Sequence, residues 1–279
     1  MRETTMTELF DPVSVTARLT AAERAREARR ADRLFDDPWA DALAGPAGRE
    51  LLAEFRGSLT TEIPVVPVRT RFFDEALLDA CGAGIRQVVL LAAGMDTRAL
   101  RLPLPEGTVV HELDRPDLLA LKDGLLRGAS AAGRRRVAVG TDLAGDWTGA
   151  LLDAGFRADR PACWVAEGLT PYLDEAAVSG LLDRVTALSA PGSRAVVDFA
   201  GRSLLDSPAL APMLALFRER GMTWRYGHEE PEELFARRGW RAGAARLGTA
   251  GSRLGRWPFP DAPRGTPGVP QGYLVTAVR

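Results

Sequence analysis

The sequence predicts an α/β protein whose core is an open, doubly wound, mostly parallel sheet behind a helical N-terminal segment. Two observations carry that expectation. Short, continuously apolar runs recur at 87–94 (QVVLLAAG), 108–114 (TVVHELD), 136–143 (RVAVGTDL), 162–168 (ACWVAEG) and 194–201 (RAVVDFAG). Runs of that length without polar alternation suit strands covered on both faces. Helical stretches lie between them, around 116–127, 147–155 and 174–190. Strands alternating with helices imply right-handed crossovers and a parallel sheet.

Taken in order, residues 16–56 read as helical, because Ala, Arg and Glu dominate the first half and are good helix formers. A turn falls at Asp37-Pro38. Ile63-Pro64-Val65-Val66-Pro67 then interrupts the pattern, since proline removes a donor and restricts its predecessor. The chain therefore divides into a helical extension over 1–67, expected to cover the site, and an α/β domain over 68–279. A helix from about Val68 to Ala80 carries Phe72, Phe73, Ala76 and Leu77 at helical spacing. The 174–190 helix has Asp174 as its N-cap and Pro191-Gly192 as its stop. Segments 243–249 and 272–279 read as a terminal pair of strands, which brings the sheet to seven. The Pro/Gly-rich stretch 255–272 between them reads as a loop.

Composition removes several function classes. The chain has 279 residues, 46% apolar and 26% charged, with a net charge of −1. Disorder is excluded, and a near-zero charge offers no field for binding nucleic acid. No apolar run is long enough to span a membrane, and the N-terminus lacks the apolar core of a signal peptide. Cys81 and Cys163 are too few for a disulfide framework or a zinc cluster. These features lead us to expect a cytoplasmic protein. Lys122 is the only lysine beside 35 arginines, a bias that a GC-rich genome explains.

Open α/β sheets bind ligands outside the carboxyl ends of their strands. Four successive runs finish on acids here: Asp96 after Ala92-Ala93-Gly94-Met95, then Asp114, Asp142 and Glu167. Asp114 follows Gly94 by twenty residues, the spacing at which a carboxylate meets the ribose hydroxyls of a nucleotide cofactor. The G-x-G-x-x-G fingerprint of a pyrophosphate site is absent, and Asp96 would repel a phosphate. A nucleoside with a positive charge and no phosphate fits better, which points to S-adenosylmethionine.

Several stretches together resemble the leucine carboxyl methyltransferase family, in its bacterial branch of tetracenomycin-type polyketide O-methyltransferases. They are Ala92-Ala93-Gly94-Met95-Asp96-Thr97-Arg98, Glu112-Leu113-Asp114-Arg115-Pro116, Thr141-Asp142-Leu143 and Ala166-Glu167-Gly168-Leu169-Thr170-Pro171-Tyr172-Leu173. Arg24-Ala25-Arg26-Glu27 and Phe35-Asp36-Asp37-Pro38 in the helical preface belong to the same pattern. The resemblance implies a class I methyltransferase-like fold, an S-adenosyl-L-methionine cofactor and a small-molecule acceptor. On the 68–80 helix Arg69 shares a face with Phe73 and Arg71 projects about 160° from it, so one arginine faces the strand ends and the other solvent. The resemblance implies Arg71 as the inward one, partner of the cofactor carboxylate, with Asp114 for the ribose, Asp142 and Leu143 beside adenine, and Glu167 after the fourth strand. Ala92 departs from the family, which has glycine there, and its methyl narrows the backbone's approach to the cofactor.

Transfer to a carboxylate needs no base, whereas a phenol gains from one. His228 is a candidate base, and Tyr172 a candidate hydrogen-bond donor to the acceptor. His111 reads as structural. A nicotinamide-dependent oxidoreductase and a non-catalytic member of the same fold are the alternatives.

Overall fold

The computed structural model describes residues 12–58, 61–128 and 135–279; side chains are described from Val15 onward. The expectations for residues 1–11 lie outside that range. Helices α1 (Pro12–Ala28) and α2 (Ala40–Gly57) open the described chain, and α2 is broken at Gly45-Pro46 by a non-helical residue. Helix α3 runs from Val65 to Gly82. It therefore begins before the proposed division at 67, because Pro67 sits in its first turn, where a missing N–H costs nothing.

The sheet then builds in alternation: β1 (Gln87–Leu91), α4 (Arg98–Arg101), β2 (Val109–Asp114), α5 (Pro116–Leu125), β3 (Arg135–Gly140), α6 (Thr148–Asp153) and β4 (Ala162–Ala166). The chain continues through α7 (Glu175–Ala187), β5 (Arg194–Ala200), α8 (Arg202–Leu205), α9 (Ala211–Glu219) and α10 (Pro231–Ala236). It closes with β6 (Arg241–Arg246), α11 (Leu247–Arg253) and β7 (Gly272–Val278). The seven strands lie in the order β3-β2-β1-β4-β5-β7-β6. The first five are mutually parallel, and β7 runs antiparallel between β5 and β6. This is the mostly parallel, seven-stranded sheet that the sequence predicts. Asp174 caps α7 as expected, accepting from Ala177 N at 2.8 Å.

One expectation needs correction. Residues 247–249 are helical rather than strand, because Leu247 and Ala250 pack into the core under α3 while the Trp257 ring lies against Gly248 and Gly251. Helices α8, α9 and α10 also fall in a region the sequence reading left unassigned.

Every residue of β1 and β4 is buried. Val89, Leu91, Trp164, Val197 and Phe199 pack on α6, α7 and α10, whereas Val88, Leu90, Cys163, Val165 and Val196 pack on α3 and α11. A third cluster joins α1, α2, α5 and α9 through Leu19, Leu43, Leu52, Leu118, Met213 and Phe217. Strand order reverses between β1 and β4, which makes their carboxyl ends the crevice for a ligand.

Candidate functional site

The crevice at that reversal is a cavity of about 1010 Å³, at the top of the ~300–1,000 Å³ range of single small-ligand sites. It has room for more than one small molecule. The strand ends form its floor, with Ala92, Gly94, Asp96, Asp114, Leu143 and Glu167 in the wall. Asp142 and Tyr172 also line it. Helix α1 forms the roof, and α9 contributes Met213 and Phe217.

The floor is a buried charge network. Arg98, 2% exposed, donates to Asp74 at 2.7 Å and pairs with Glu167 at 2.6 Å and with Asp96. Arg69, from the second turn of α3, donates to Glu167 at 2.9 Å and to Asp198 at 3.0 Å. Burial acts to raise the pKa of Asp96, but the Arg98 guanidinium, helped by Lys122, Arg24 and Arg101, holds it at about 2. Glu167 is likewise depressed: burial opposes ionisation, and Arg98 and Arg69 outweigh it.

Asp96 therefore does not stand bare against a ligand. It is neutralised by Arg98, so its repulsion of phosphate is weaker than the sequence suggested. A stronger objection to a dinucleotide is that α4 has only four residues and presents no extended helix N-terminus for a pyrophosphate.

Asp114 stands at the end of β2. Its two oxygens accept from Gly94 N at 2.7 Å and Arg115 N at 2.8 Å, and burial raises its pKa. Gly94, at φ +46°, has no room for a side chain, since a Cβ would stand 3.0 Å from Ala17 of α1. Ala92 takes φ +56°, the only positive φ among described non-glycine residues. Asp142 is exposed and accepts from Ala144 N at 2.9 Å.

Helix α1 is pinned to the β1 loop. Arg24 donates to Asp37 at 2.9 Å and to the Met95 carbonyl, and Thr97 Oγ1 donates to the same Asp37 at 2.7 Å. The Arg24 and Asp37 motifs of the helical preface thus tie the roof to the floor.

Two site expectations are corrected. Arg71 points away from the cavity: its side chain is 42% exposed and its Nε pairs with Glu75 at 2.7 Å. Its Nη1 donates to Leu34 O. Arg69 is the inward arginine, because it shares a helix face with Phe73, which is fully buried. His228 does not line the cavity, and its Nδ1 accepts from Glu230 N at 3.0 Å, which removes it as a base. Tyr172, on a 3-10 turn, does face the cavity and meets Trp224 edge to face at 6.3 Å. Burial pushes its phenol pKa up, so it is a neutral donor. His111 is 1% exposed against Phe156, a structural residue. Arg69 was read as the outward arginine, Arg98 stood in a resembling stretch without a role, and Glu23 and the aromatic wall of Phe217 and Trp224 were missed. Arg69 had a signal in its four-residue spacing from Phe73, and Arg98 in its place two residues after Asp96.

The sheet order, the single reversed strand and a carboxylate-rimmed crevice at β1 and β4 define the S-adenosylmethionine-dependent class I methyltransferases. The chain belongs to the leucine carboxyl methyltransferase family, whose description "Leucine carboxyl methyltransferase" matches residues 17–186. It is 41% identical, over 96% of this chain and 87% of the relative, to a Parafrankia protein named "Putative S-adenosyl-L-methionine-dependent methyltransferase". A Frankia alni protein of the same name is 43% identical over 96% and 95%. The fold is similar to a DUF574 family protein from Streptomyces avermitilis, with a TM-score of 0.65 and 19% identity over 95% and 97% of the two chains. A methyltransferase-titled structure from Thermobifida fusca gives 0.62 and 17% over 94% of each. The protein is a methyltransferase that uses S-adenosyl-L-methionine, and no described helix is long and apolar enough to cross a membrane.

Proposed function

We propose that this enzyme O-methylates a carboxylate or hydroxyl of a small, polyketide-like acceptor in the cytoplasm. The observation that carries the proposal is one continuous cavity with two kinds of wall. Ionised and hydrogen-bonding groups line the strand ends, and Phe55, Met213, Phe217 and Trp224 line the opposite side. Phe55 and Phe217 stack at 5.5 Å and Phe217 meets Trp224 at 5.7 Å, a surface suited to a flat, apolar acceptor. Its near-zero net charge speaks against nucleic acid, and two free buried cysteines fit a reducing compartment.

The donor set fits S-adenosylmethionine. Asp114 would take the ribose hydroxyls, Asp142 and Leu143 would flank adenine, and the Ala92–Asp96 loop would lie along the amino-acid end. Arg69, which lines the cavity, would hold the cofactor carboxylate in place of Arg71. Asp96 and Glu167 keep the surroundings of a cation negative while Arg98 keeps them rigid. The cofactor supplies an electrophilic methyl on sulfur. The protein's part is to align acceptor, methyl and sulfur and to exclude water. The helical extension acts as the cover, and Tyr172 donates a hydrogen bond to the acceptor.

Calorimetric titration tests this assignment. Asp114→Ala should abolish measurable cofactor binding in a folded protein, because two charge-assisted hydrogen bonds are worth roughly 1.5–3 kcal/mol each. Affinity within about threefold of wild type would sink the ribose assignment. Arg69→Lys should weaken both cofactor and demethylated product, since a lysine cannot reproduce the forked contact. Arg71→Lys should be nearly silent, and a larger loss at Arg71 would make Arg71 the partner of the cofactor carboxylate instead.

A further inference from the structure

We propose that Glu23 of α1 is the proton acceptor for a hydroxyl on the methyl acceptor, which makes that acceptor a phenol or alcohol rather than a carboxylate. This deepens the O-methylation reading and rests on it.

Thr16, Thr20, Glu23 and Glu27 recur at i, i+4, i+7 and i+11 on α1, and all four line the cavity. They form one helical stripe. Residues 16 and 23 are two turns apart, ~10 Å along the axis, and Tyr172 stands near the Thr16 end. A flat acceptor lying under the roof therefore meets a donor at one end and Glu23 at the other.

The remaining described carboxylates in the wall are already committed. Glu167 and Asp198 hold Arg69, and Asp96 holds Arg98. Asp114 holds two backbone N–H groups. Glu27 accepts from Leu34 N at 2.7 Å and from Arg256 at 2.9 Å, Glu62 holds Arg26 and Arg56, and Asp261 holds Arg246 and Thr249. Asp142 is turned onto its own backbone. Among the described residues Glu23 meets only Arg26, at 3.6 Å, beyond hydrogen-bond distance, and its side chain is 13% exposed. It is a nearly enclosed carboxylate with lone pairs to spend.

Its environment suits the task. Burial raises the Glu23 pKa to about 7; Arg26 opposes the rise, and Glu62 and Glu27 add to it. A base near the working pH is the efficient one. Glu27 and Glu62 are paired with Arg256, Arg26 and Arg56, and a carboxylate acceptor, already ionised, would have no use for a base at Glu23. In the step, the acceptor O–H proton passes to a Glu23 oxygen as the oxygen–methyl bond forms. The methyl–sulfur bond breaks, its electron pair stays on sulfur, and the sulfonium becomes a neutral thioether. The proton leaves Glu23 to solvent.

The test uses 2-naphthol and 2-naphthoic acid, flat molecules that offer the phenol and the carboxylate separately, with S-adenosylmethionine. The expected product is an alkali-stable methyl ether, formed with a kcat/KM that rises with pH through about 7. Glu23→Gln should lower kcat by ~10²-fold or more and abolish that rise, while Glu23→Asp keeps it at reduced rate. An alkali-labile ester, no ether from wild type with bound cofactor, or a rise that persists in Glu23→Gln would each overturn the inference. Calorimetry with S-adenosylmethionine separates the two readings. Wild type that fails to bind it removes the proposed site itself, whereas normal binding confines any failure to Glu23.

Discussion

Ala92 holds a left-handed backbone, φ +56°, at the position where the family resemblance leads one to expect glycine. An L-residue pays roughly 1–2 kcal/mol for that conformation. The departure noticed in the sequence is therefore a strained residue at the mouth of the loop proposed to hold the cofactor. Ala92→Gly should raise stability by about 1 kcal/mol in urea unfolding and leave cofactor affinity equal or tighter. A looser complex in a stable variant would make the methyl part of an adapted pocket. Lys122 makes a second case at this scale. The only lysine is fully buried, its Nζ 2.7 Å from Glu112, which Arg136 also meets at 2.8 Å. Genome bias explains the arginines and not why this site stayed lysine. A compact ammonium fits where a guanidinium fork does not. Lys122→Met strips a buried carboxylate of one partner and should cost about 3–5 kcal/mol, read as a lowered urea midpoint.

At the scale of elements, the site depends on α1 lying close across α2 and the β1 loop. Gly48 permits that crossing, since a Cβ there would stand 2.5 Å from the Arg18 carbonyl oxygen. Backbone is the obstacle, and it cannot swing aside as a side chain can. Gly48→Ala should cost about 1–3 kcal/mol and also weaken cofactor binding, because α1 carries Ala17 and Arg24 over the loop. Lost stability with unchanged affinity would show that the roof is not coupled to the site. The strands and their acidic ends were legible because burial on both faces writes continuous apolar runs. Residues 247–249 were not, since a glycine-rich helix held by Trp257 has no helical periodicity of its own. The arginine choice was half legible. Helix rotation separated Arg69 from Arg71, and the buried Phe73 marked the inward face, but the family analogy selected the other. The roof's role in chemistry was not legible, because Glu23 becomes distinctive only when its neighbours' partners are known.

Across the whole molecule, the same carboxylates that build the site set its response to pH, and they act in opposite directions. Asp96 titrates at about 2 in the fold against 3.8 in the unfolded chain. A depressed carboxylate contributes stability above the unfolded value that is lost as pH falls through the folded one. Acid unfolding should therefore steepen between pH 4 and 2. Glu23 runs the other way, with about 7 in the fold against 4.5 unfolded. The unfolded chain releases that proton first, so its stability contribution is full below about 4.5, declines as pH rises to 7 and is flat above. The slope cannot exceed about 1.4 kcal/mol per pH unit. Glu23→Gln removes the titration, so the melting temperature of the variant minus that of wild type should grow between pH 4.5 and 7 and then level. This measurement needs no acceptor. A difference that stays constant across the range would mean that Glu23 ionises in the fold as it does in water, and the roof would then hold no base tuned to neutral pH.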